Sequence, residues 1–375
     1  MIKSLYVAAT GQHVGKTTST LGLVKTLLDL GYDVGYSKPV GQKYLNVQGI
    51  KADKDAVLFA DFIGFELDKE LHSPVIIAEG VTAQFIEDAS HFDFPKRVVK
   101  ANERLVNQHE LVVFEGTGHP AVGSVVNLSN ADVAKMVDAA VVMIVEGGIG
   151  RTLDKLSLSL AVFAESQVPV IGVIVNKVKP EKLDYIRKYV GMKLKSIGIP
   201  LLGVLPYDRA LSNPIMDSIM RVVKGRCLLN SERMWNQVSN IIPGSLFETD
   251  EFGYEDENNL LVVSASRLGN VLEKVAEISE EKGHPIISGV LLTGDGRLEH
   301  WFESTDIWHP FLDKHRIPVV SSPLDALGAV VRINQIEVKI NTRTPWKVQK
   351  AVQLIREHVD LYPLLESLGA KPKNV

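Results

Sequence analysis

A short stretch near the start of the chain has the residue types and spacing of a phosphate-binding loop. Its residues are Thr10, Gly11, Gln12, His13, Val14, Gly15, Lys16, Thr17 and Thr18. In such a loop the backbone N–H groups face an anion, the lysine reaches the outer phosphates, and the threonine hydroxyl can bind Mg²⁺. Gly15, Lys16 and Thr17 match G-x-x-x-x-G-K-[ST], while Thr10 stands where the first glycine is usual. We therefore predict nucleotide-phosphate binding rather than a glycine turn that happens to carry a surface lysine.

The segments around this loop are those that a phosphate-binding site requires. Residues 5–9 form an apolar run typical of a buried strand, and residues 20–28 have helical spacing that ends at Gly31. More apolar runs follow, with helical patterns between them, at residues 111–114, 139–145, 168–175 and 199–206. This alternation predicts an α/β fold with a mostly parallel sheet covered by helices on both faces.

Ionisable residues follow the second predicted strand, at residues 32–37. Lys38 ends that strand, and its position alone leaves a phosphate contact and a solvated loop lysine equally open. Asp53 and Asp55 begin a helical pattern. They either complement the helix dipole or serve as carboxylate ligands of a hard metal ion.

A carboxylate also ends the apolar run at residues 111–114. Glu115 stands where phosphate-loop folds place a second Mg²⁺ contact, which is usually Asp. Glycines on both sides of Thr117 allow the backbone to approach a ligand closely. His119, in the same loop, is interpreted as a loop residue rather than as a catalytic base.

Residues that follow two later predicted strands are candidates for contacting the nucleotide base. Asn176 and Lys177 resemble the start of a guanine-reading loop, but that loop needs Asp two residues after the lysine, where this chain has Lys179. Adenine is therefore favoured over guanine, and the Asn176 amide can contact a base edge. The segment from Pro206 to Arg209 follows the last strand of the sheet and can frame that base.

The second half of the chain predicts a smaller α/β domain, so we divide the sequence into domains 1–213 and 214–375. A C-terminal helix over residues 347–368 is assigned to the second domain. This half shows no nucleophile paired with a base and no set of metal ligands, which favours a sensor or assembly module. Trp301, Trp308 and His309 either line a pocket or, as is more usual at this spacing, belong to a core or interface.

Composition excludes several classes of function. The 375 residues are 45% hydrophobic and 23% charged, as in ordinary globular proteins, and the net charge of −4 gives no reason to expect nucleic acid or an anionic membrane as a partner. No apolar run reaches the roughly 18 residues of a membrane span, and no signal peptide precedes the first strand, so we expect a cytoplasmic protein. Cys227, the single cysteine, excludes an intrachain disulfide and is expected to be buried and inert.

Taken together, these motifs resemble the dethiobiotin synthetase-like P-loop superfamily, and in particular the N-terminal region of long bacterial phosphate acetyltransferases. Besides the phosphate loop, the motifs that carry the resemblance are Lys38-Pro39-Val40, Asp55-Ala56, Glu115-Gly116-Thr117-Gly118, Glu146-Gly147-Gly148-Ile149-Gly150, Asn176-Lys177-Val178 and Leu205-Pro206-Tyr207. The second half resembles the DRTGG domain that follows in those enzymes. Its name-giving motif is replaced here by Ser264-Ala265-Ser266-Arg267-Leu268.

The resemblance implies a role for each residue around ATP and Mg²⁺. Lys16 and Lys38 would be the catalytic lysines at the phosphates. Thr17, Asp55 and Glu115 would hold the metal ion. ATP is then the expected nucleotide, with GTP less favoured, and a small molecule is the possible second substrate.

Two functions remain open at this point. The first is a Mg²⁺-dependent ATPase or ATP-dependent ligase-like enzyme, which the intact Lys16-Thr17 pair and Glu115 favour. The second is a non-catalytic nucleotide-sensing module that regulates a separate acyltransferase or another partner, which the absence of an acetyltransferase domain favours. Related cobyrinate and cobyrate synthases use a cysteine nucleophile in a glutaminase domain. Cys227 does not lie in the sequence context of such a domain, so glutamine-dependent amidation is not expected. The resemblance also implies that Asn176 contacts adenine, and analogy with the fold class suggests that the chain forms a homodimer.

Overall fold

The structure is a computed structural model that describes residues 3–248, 257–294, 308–336, 338–370 and Lys373. The chain packs as two compact units, one of residues 1–208 with 340–375 and the other of residues 209–339. Trp301, which the sequence singled out, lies outside the described residues. Within the described residues, no helix combines the length and the apolar character that crossing a membrane requires.

A parallel sheet flanked by helices forms the first unit. Its elements up to residue 208 are β1 (Ser4–Ala9), α1 (Lys16–Asp29), β2 (Val34–Ser37), β3 (Val40–Gly41), β4 (Tyr44–Val47), β5 (Ile50–Asp53), α2 (Lys54–Ile63), α3 (Lys69–His72), β6 (Val75–Ile76), α4 (Val81–Glu87), α5 (Phe94–Gln108), β7 (Leu111–Glu115), α6 (Asn130–Met136), β8 (Ala139–Glu146), α7 (Gly150–Glu165), β9 (Val170–Val178), α8 (Leu183–Ser196) and β10 (Leu201–Pro206). Six strands pair in the order β10-β9-β8-β1-β7-β2, all parallel. Beside this sheet, β3 pairs with β6, and β4 forms an antiparallel pair with β5.

Burial explains why these strands read as continuous apolar runs. Every residue of β1 is buried, although successive side chains of a strand point to opposite faces. Both faces of the sheet are therefore covered, which confirms the predicted α/β class. In the register, Val7 of β1 lies opposite Glu115 of β7, and Ser37 of β2 lies opposite Phe114. The carboxyl ends of β2, β7 and β1 thus lie side by side.

The second unit is a smaller α/β body. Its elements are α9 (Arg209–Ser212), α10 (Met216–Val222), β11 (Arg226–Leu229), β12 (Asn240–Pro243), β13 (Asn259–Ser264), α11 (Leu268–Lys282), β14 (Ile287–Thr293), α12 (Pro310–Lys314), β15 (Val319–Ser322) and α13 (Ala326–Asn334). The strand order is β11-β15-β14-β13-β12, with only the β11 pairing antiparallel among the described strands of this sheet. Apolar clusters cover the sheet, one around α11 and α12 and the other around α10 and α13.

The C-terminal segment differs from the sequence-based assignment. It forms two helices, α14 (Pro345–His358) and α15 (Tyr362–Ser367), and both pack with the first unit rather than with the second. α14 lies against α1, where a Cβ at Gly22 would come within 2.6 Å of Ile355 Cγ1. The helix stops because the chain then runs beside β10, where the Asp360 N–H donates to the Leu202 carbonyl at 2.8 Å. Apolar spacing predicted a helix but not its packing partner.

Candidate nucleotide site

The phosphate loop joins the end of β1 to the start of α1. Gly15 has φ +95°, a conformation that side chains disfavour, and a Cβ there would lie 2.1 Å from Asn176 Nδ2. Glycine is therefore the only residue that this turn accommodates without displacing Asn176. The first helical residue is Lys16, so the dipole of α1 places partial positive charge at this end of the loop.

Two carboxylates approach the hydroxyl of the phosphate loop. Thr17 Oγ1 donates to Glu115 Oε1 at 2.6 Å and lies 3.5 Å from Asp55 Oδ2. Glu115 is completely buried at the end of β7, while Asp55 lies in the first turn of α2. The fold thus brings together three side chains that are up to 98 residues apart in the chain.

Lys38 is buried among carboxylates, which excludes the solvated-loop alternative. Its Nζ contacts Asp55 Oδ2 directly, and it lies 3.4 Å from Glu115 Oε1 and 3.9 Å from Asp53 Oδ1. Burial alone would lower the pKa of Lys38, but the carboxylates of Glu115, Asp55 and Asp53 outweigh burial and raise the pKa above its usual value. The ammonium group therefore stays charged and compensates the negative charge of these three carboxylates, which we call the acidic cluster.

Asp53 has a structural contact of its own. Its Oδ1 accepts the Asp55 N–H at 2.8 Å, so it caps the N-terminus of α2, as the helix-dipole interpretation proposed. Burial raises the pKa of Asp53 to about 6, although the nearby Lys38 opposes the shift. Gly41 leaves room for this carboxylate, because a Cβ there would lie 2.4 Å from Asp53 Oδ2.

A tyrosine that the sequence analysis missed orients Glu115. The Tyr36 hydroxyl donates to Glu115 Oε2 at 3.2 Å, which leaves Oε1 turned toward Thr17. The Tyr36 ring stacks on Phe59 with centroids 3.6 Å apart. Burial and the adjacent carboxylate raise the pKa of Tyr36 well above its usual value, so the hydroxyl keeps its proton and remains a donor. A tyrosine in a buried strand carries no local signal of this contact.

The loop after β7 contacts the phosphate-loop lysine. Lys16 Nζ donates to the Gly118 carbonyl at 3.2 Å. His119 is exposed, and its carbonyl accepts a hydrogen bond from Asn130 Nδ2 at 2.6 Å. These contacts place His119 as a loop residue.

Two of the predicted base-contacting residues, Asn176 and Pro206, end strands that lie on the other side of β1 from β7. Asn176, at the end of β9, donates from Nδ2 to the Val14 carbonyl at 2.9 Å and accepts the Lys177 N–H at 2.8 Å. Pro206 ends β10 and is paired with the end of β9. Arg209 is exposed and is the first residue of the second unit.

The donor set beside Thr17 fits Mg²⁺. This ion is usually bound through one or two carboxylates, with water and substrate phosphates completing the octahedron. Here the candidate oxygen ligands are the two carboxylates of Asp55 and Glu115 and the hydroxyl of Thr17. Within the described residues, no group of three or more His, Cys, Asp and Glu side chains forms an all-protein metal site.

Three other residues that the sequence singled out, Trp308, His309 and Cys227, lie in the second unit. Trp308 is 63% exposed, so it is not a core residue, and His309 Nδ1 accepts the Phe311 N–H at 3.2 Å at the start of α12. Cys227 is half-buried rather than buried. Burial raises the pKa of its thiol, which keeps it protonated.

The fold and the phosphate loop define a P-loop NTPase. The chain belongs to the AAA_26 family, described as an AAA domain, whose model matches residues 3–215. It is 21% identical over 372 residues to a phosphate acetyltransferase of Synechocystis sp., covering 98% of this chain and 52% of that protein. It is 24% identical over 212 residues to an ATP-dependent dethiobiotin synthetase of Clostridium acetobutylicum, covering 55% of this chain and 87% of that protein.

Two further comparisons each cover somewhat more than half of this chain. A cobyric acid synthase of Carboxydothermus hydrogenoformans is 27% identical over 243 residues, covering 58% of this chain and 48% of that protein. The cell division protein MinD of Aquifex aeolicus superimposes with a TM-score of 0.37 at 14% identity, covering 56% of this chain and 84% of that one. The chain spans about half the length of the phosphate acetyltransferases that it matches.

Proposed function

We propose that this protein binds ATP with Mg²⁺ at the phosphate loop and acts as an ATPase or as an ATP-dependent ligase-like enzyme on a small molecule. The observation that carries the proposal is the 2.6 Å contact between the Thr17 hydroxyl and Glu115, with Asp55 and the Lys38 ammonium beside it. A buried lysine and two carboxylates at this hydroxyl supply the charges that binding of a phosphate chain together with a cation requires.

The residues of the proposed site have two roles, in which positive groups bind the phosphates and oxygen ligands hold the metal ion. The backbone N–H groups of the loop and Lys16 would bind the outer phosphates, and Lys38 would add a second positive charge beside them. Thr17, Asp55 and Glu115 would hold Mg²⁺, which neutralises charge on the phosphate oxygens when it is bound. Tyr36 keeps one Glu115 oxygen aimed at this position. Catalysis on this view consists of positioning and charge neutralisation.

The base site supports ATP over GTP. The amide of Asn176 can contact an adenine edge, with Pro206 and Arg209 framing the ring. Lys179 stands where a guanine-reading loop would supply a carboxylate, so the acceptor that such a loop offers to the guanine ring N–H groups is replaced by a cation.

A second candidate function is a nucleotide-sensing regulatory module. It is favoured by the match to phosphate acetyltransferases over 98% of the chain, which includes the second unit. In this proposal the second unit is a DRTGG-like sensor or assembly domain, and a homodimer acts on a separate acyltransferase. Binding of ATP would then change an assembly rather than drive turnover.

Phosphate release from ATP, measured with and without Mg²⁺, separates these functions. We expect Mg²⁺-dependent release that Lys16→Ala reduces at least about 100-fold, because the lysine contacts the charge that develops on the phosphates. Lys25→Ala is the matched control, since Lys25 lies on the same helix and forms a surface ion pair with Asp29 at 3.5 Å. Tight ATP binding without turnover, alone or with candidate acids and amines, would favour the regulatory module. Absence of calorimetric binding at millimolar ATP and GTP would refute both.

A further inference from the structure

A buried asparagine, which has no role in the chemistry proposed above, lies beneath the loop that follows β7. Asn130 is the first residue of α6 and is 3% exposed. Its Oδ1 accepts hydrogen bonds from the Thr117 N–H and the Tyr6 hydroxyl, both at 2.8 Å. Its Nδ2 donates to the carbonyls of Thr117 and His119 at 2.8 and 2.6 Å. All four hydrogen-bonding positions of the amide are therefore used.

The loop held by this amide, residues 116–119, connects two parts of the nucleotide site. On one side the Gly118 carbonyl accepts the hydrogen bond from Lys16 Nζ at 3.2 Å. On the other side the Thr117 hydroxyl donates to the Val40 carbonyl in β3. A displacement of the loop would therefore move contacts of both the phosphate loop and the segment that follows β2.

The packing leaves this loop little freedom to move. A Cβ at Gly116 would lie 2.4 Å from Asn130 Oδ1 and 2.8 Å from Tyr6 Cε1, so the backbone lies directly on the asparagine and the tyrosine. The start of α6 is itself fixed by a capping box, in which the Ser129 hydroxyl and the Asp132 carboxylate each bind the other residue's backbone N–H. Asn130 thus joins a rigid helix end to the loop.

We propose that Asn130 is a positioning residue for the phosphoryl chemistry of this site, an inference that rests on the proposed function. Its amide fixes residues 116–119 so that the Gly118 carbonyl holds Lys16 toward the outer phosphates. In the proposed site, nucleotide affinity comes mainly from the backbone N–H groups of the phosphate loop between β1 and α1, whereas the amide of Asn130 binds residues 116–119. Turnover depends on where the lysine charge lies, and a displacement of about 1 Å can cost about 100-fold in rate. Asn130 therefore acts on kcat more than on nucleotide affinity.

Asn130→Asp tests this role with almost no change in shape. The replacement keeps the acceptor for Thr117 N–H and Tyr6 but removes both donors, and it places an oxygen against the carbonyls of Thr117 and His119. We expect kcat for ATP to fall about 10- to 100-fold while the calorimetric Kd for ATP changes less than about threefold. Hydrogen exchange of residues 116–119 should rise in the same variant. Tyr6→Phe, which removes a single bond to the amide, should show the same pattern with a smaller loss.

Asn259→Asp is the matched control. Asn259 is also 3% exposed, and its Nδ2 donates to the Ile286 carbonyl at 2.8 Å, but it lies in the second unit. An equal loss of kcat in this control would show that the effect follows from general destabilisation and would overturn the inference. Unchanged kcat and unchanged exchange in Asn130→Asp would also overturn it. If the wild type binds ATP without turnover, the enzyme proposal fails, and the exchange of residues 116–119 then decides whether Asn130 holds the loop.

Discussion

Replacing Lys38 by methionine tests whether its ammonium group compensates the negative charge of Asp53, Asp55 and Glu115. The side chain keeps its length but loses the ammonium group that contacts Asp55 and lies 3.4 Å from Glu115 and 3.9 Å from Asp53. Removing one partner of a buried ion pair costs about 3–5 kcal/mol, because the remaining charges stay buried without compensation. For a unit of this size, 1 kcal/mol corresponds to about 2–4 °C, so we expect the melting temperature to fall by about 6–20 °C in EDTA.

Mg²⁺ should reverse part of this loss. A cation bound by the same carboxylates supplies positive charge, and at ten times its Kd it adds about 1.4 kcal/mol of stability. The Lys38→Met protein should therefore gain more from Mg²⁺ than the wild type gains. Its deficit should also shrink as the pH falls from 7 to 5, because Asp53, whose pKa burial raises to about 6, then takes up a proton in place of the lost ammonium charge.

Calorimetric melting of both proteins, in EDTA and in Mg²⁺, measures these effects. Lys25→Met provides the control for loss of a surface lysine, and we expect it to melt within about 2 °C of the wild type. If Lys38→Met melted like the wild type in EDTA, the ammonium group would not be what balances the carboxylates. The electrostatic account of this site would then be wrong.

Two other substitutions test the packing and the protonation state of the first unit. Replacing glycine by alanine inside a helix normally stabilises the helix by about 1 kcal/mol. In Gly22→Ala, however, the added methyl would lie 2.6 Å from Ile355 Cγ1, so we expect the free energy of unfolding in urea to fall by about 1–2 kcal/mol. A more stable variant would show that α14 moves aside freely. Burial lowers the pKa of His72 to about 4, so its neutral form supports folding above pH 6.5, and this stability is lost as the pH falls toward 4. His72→Asn keeps an acceptor for the Asp68 N–H and should remove up to about 3 kcal/mol of the acid destabilisation, measured by denaturant unfolding at pH 7 and pH 4. An identical pH dependence in the variant would contradict the assignment of a neutral buried imidazole.

Local sequence patterns were sufficient for the phosphate loop and for the strands of the first sheet. A glycine-lysine-threonine turn between an apolar run and a helical pattern has few structural solutions, because the turn requires positive φ at Gly15 and a buried strand before it. Glu115 could also be singled out, since it directly follows a strand of the sheet. These signals lie within a few residues of the features that they predict.

Contacts between distant segments could not be predicted in this way. Position alone left Lys38 and Asp55 with two interpretations each. The strand order β1-β7-β2 buries Lys38 beside Glu115, which excludes a solvated loop lysine, while its contact with phosphate stays a prediction. Tyr36 and Asn130 were missed entirely. Their neighbours in sequence are ordinary strand and helix residues, whereas Glu115 lies 79 residues from Tyr36 and Tyr6 lies 124 residues from Asn130.

The sequence by itself therefore determined that the chain carries a phosphate loop on a parallel sheet, because those features depend on local backbone geometry and on burial of both sheet faces. Only the tertiary structure decided that Lys38 is a buried counter-ion and that α14 packs on α1 rather than on the second unit. The physical reason is the same in both cases. An apolar stripe or a charged side chain defines what kind of partner it needs, but the strand order and helix packing of the whole unit determine which partner it meets.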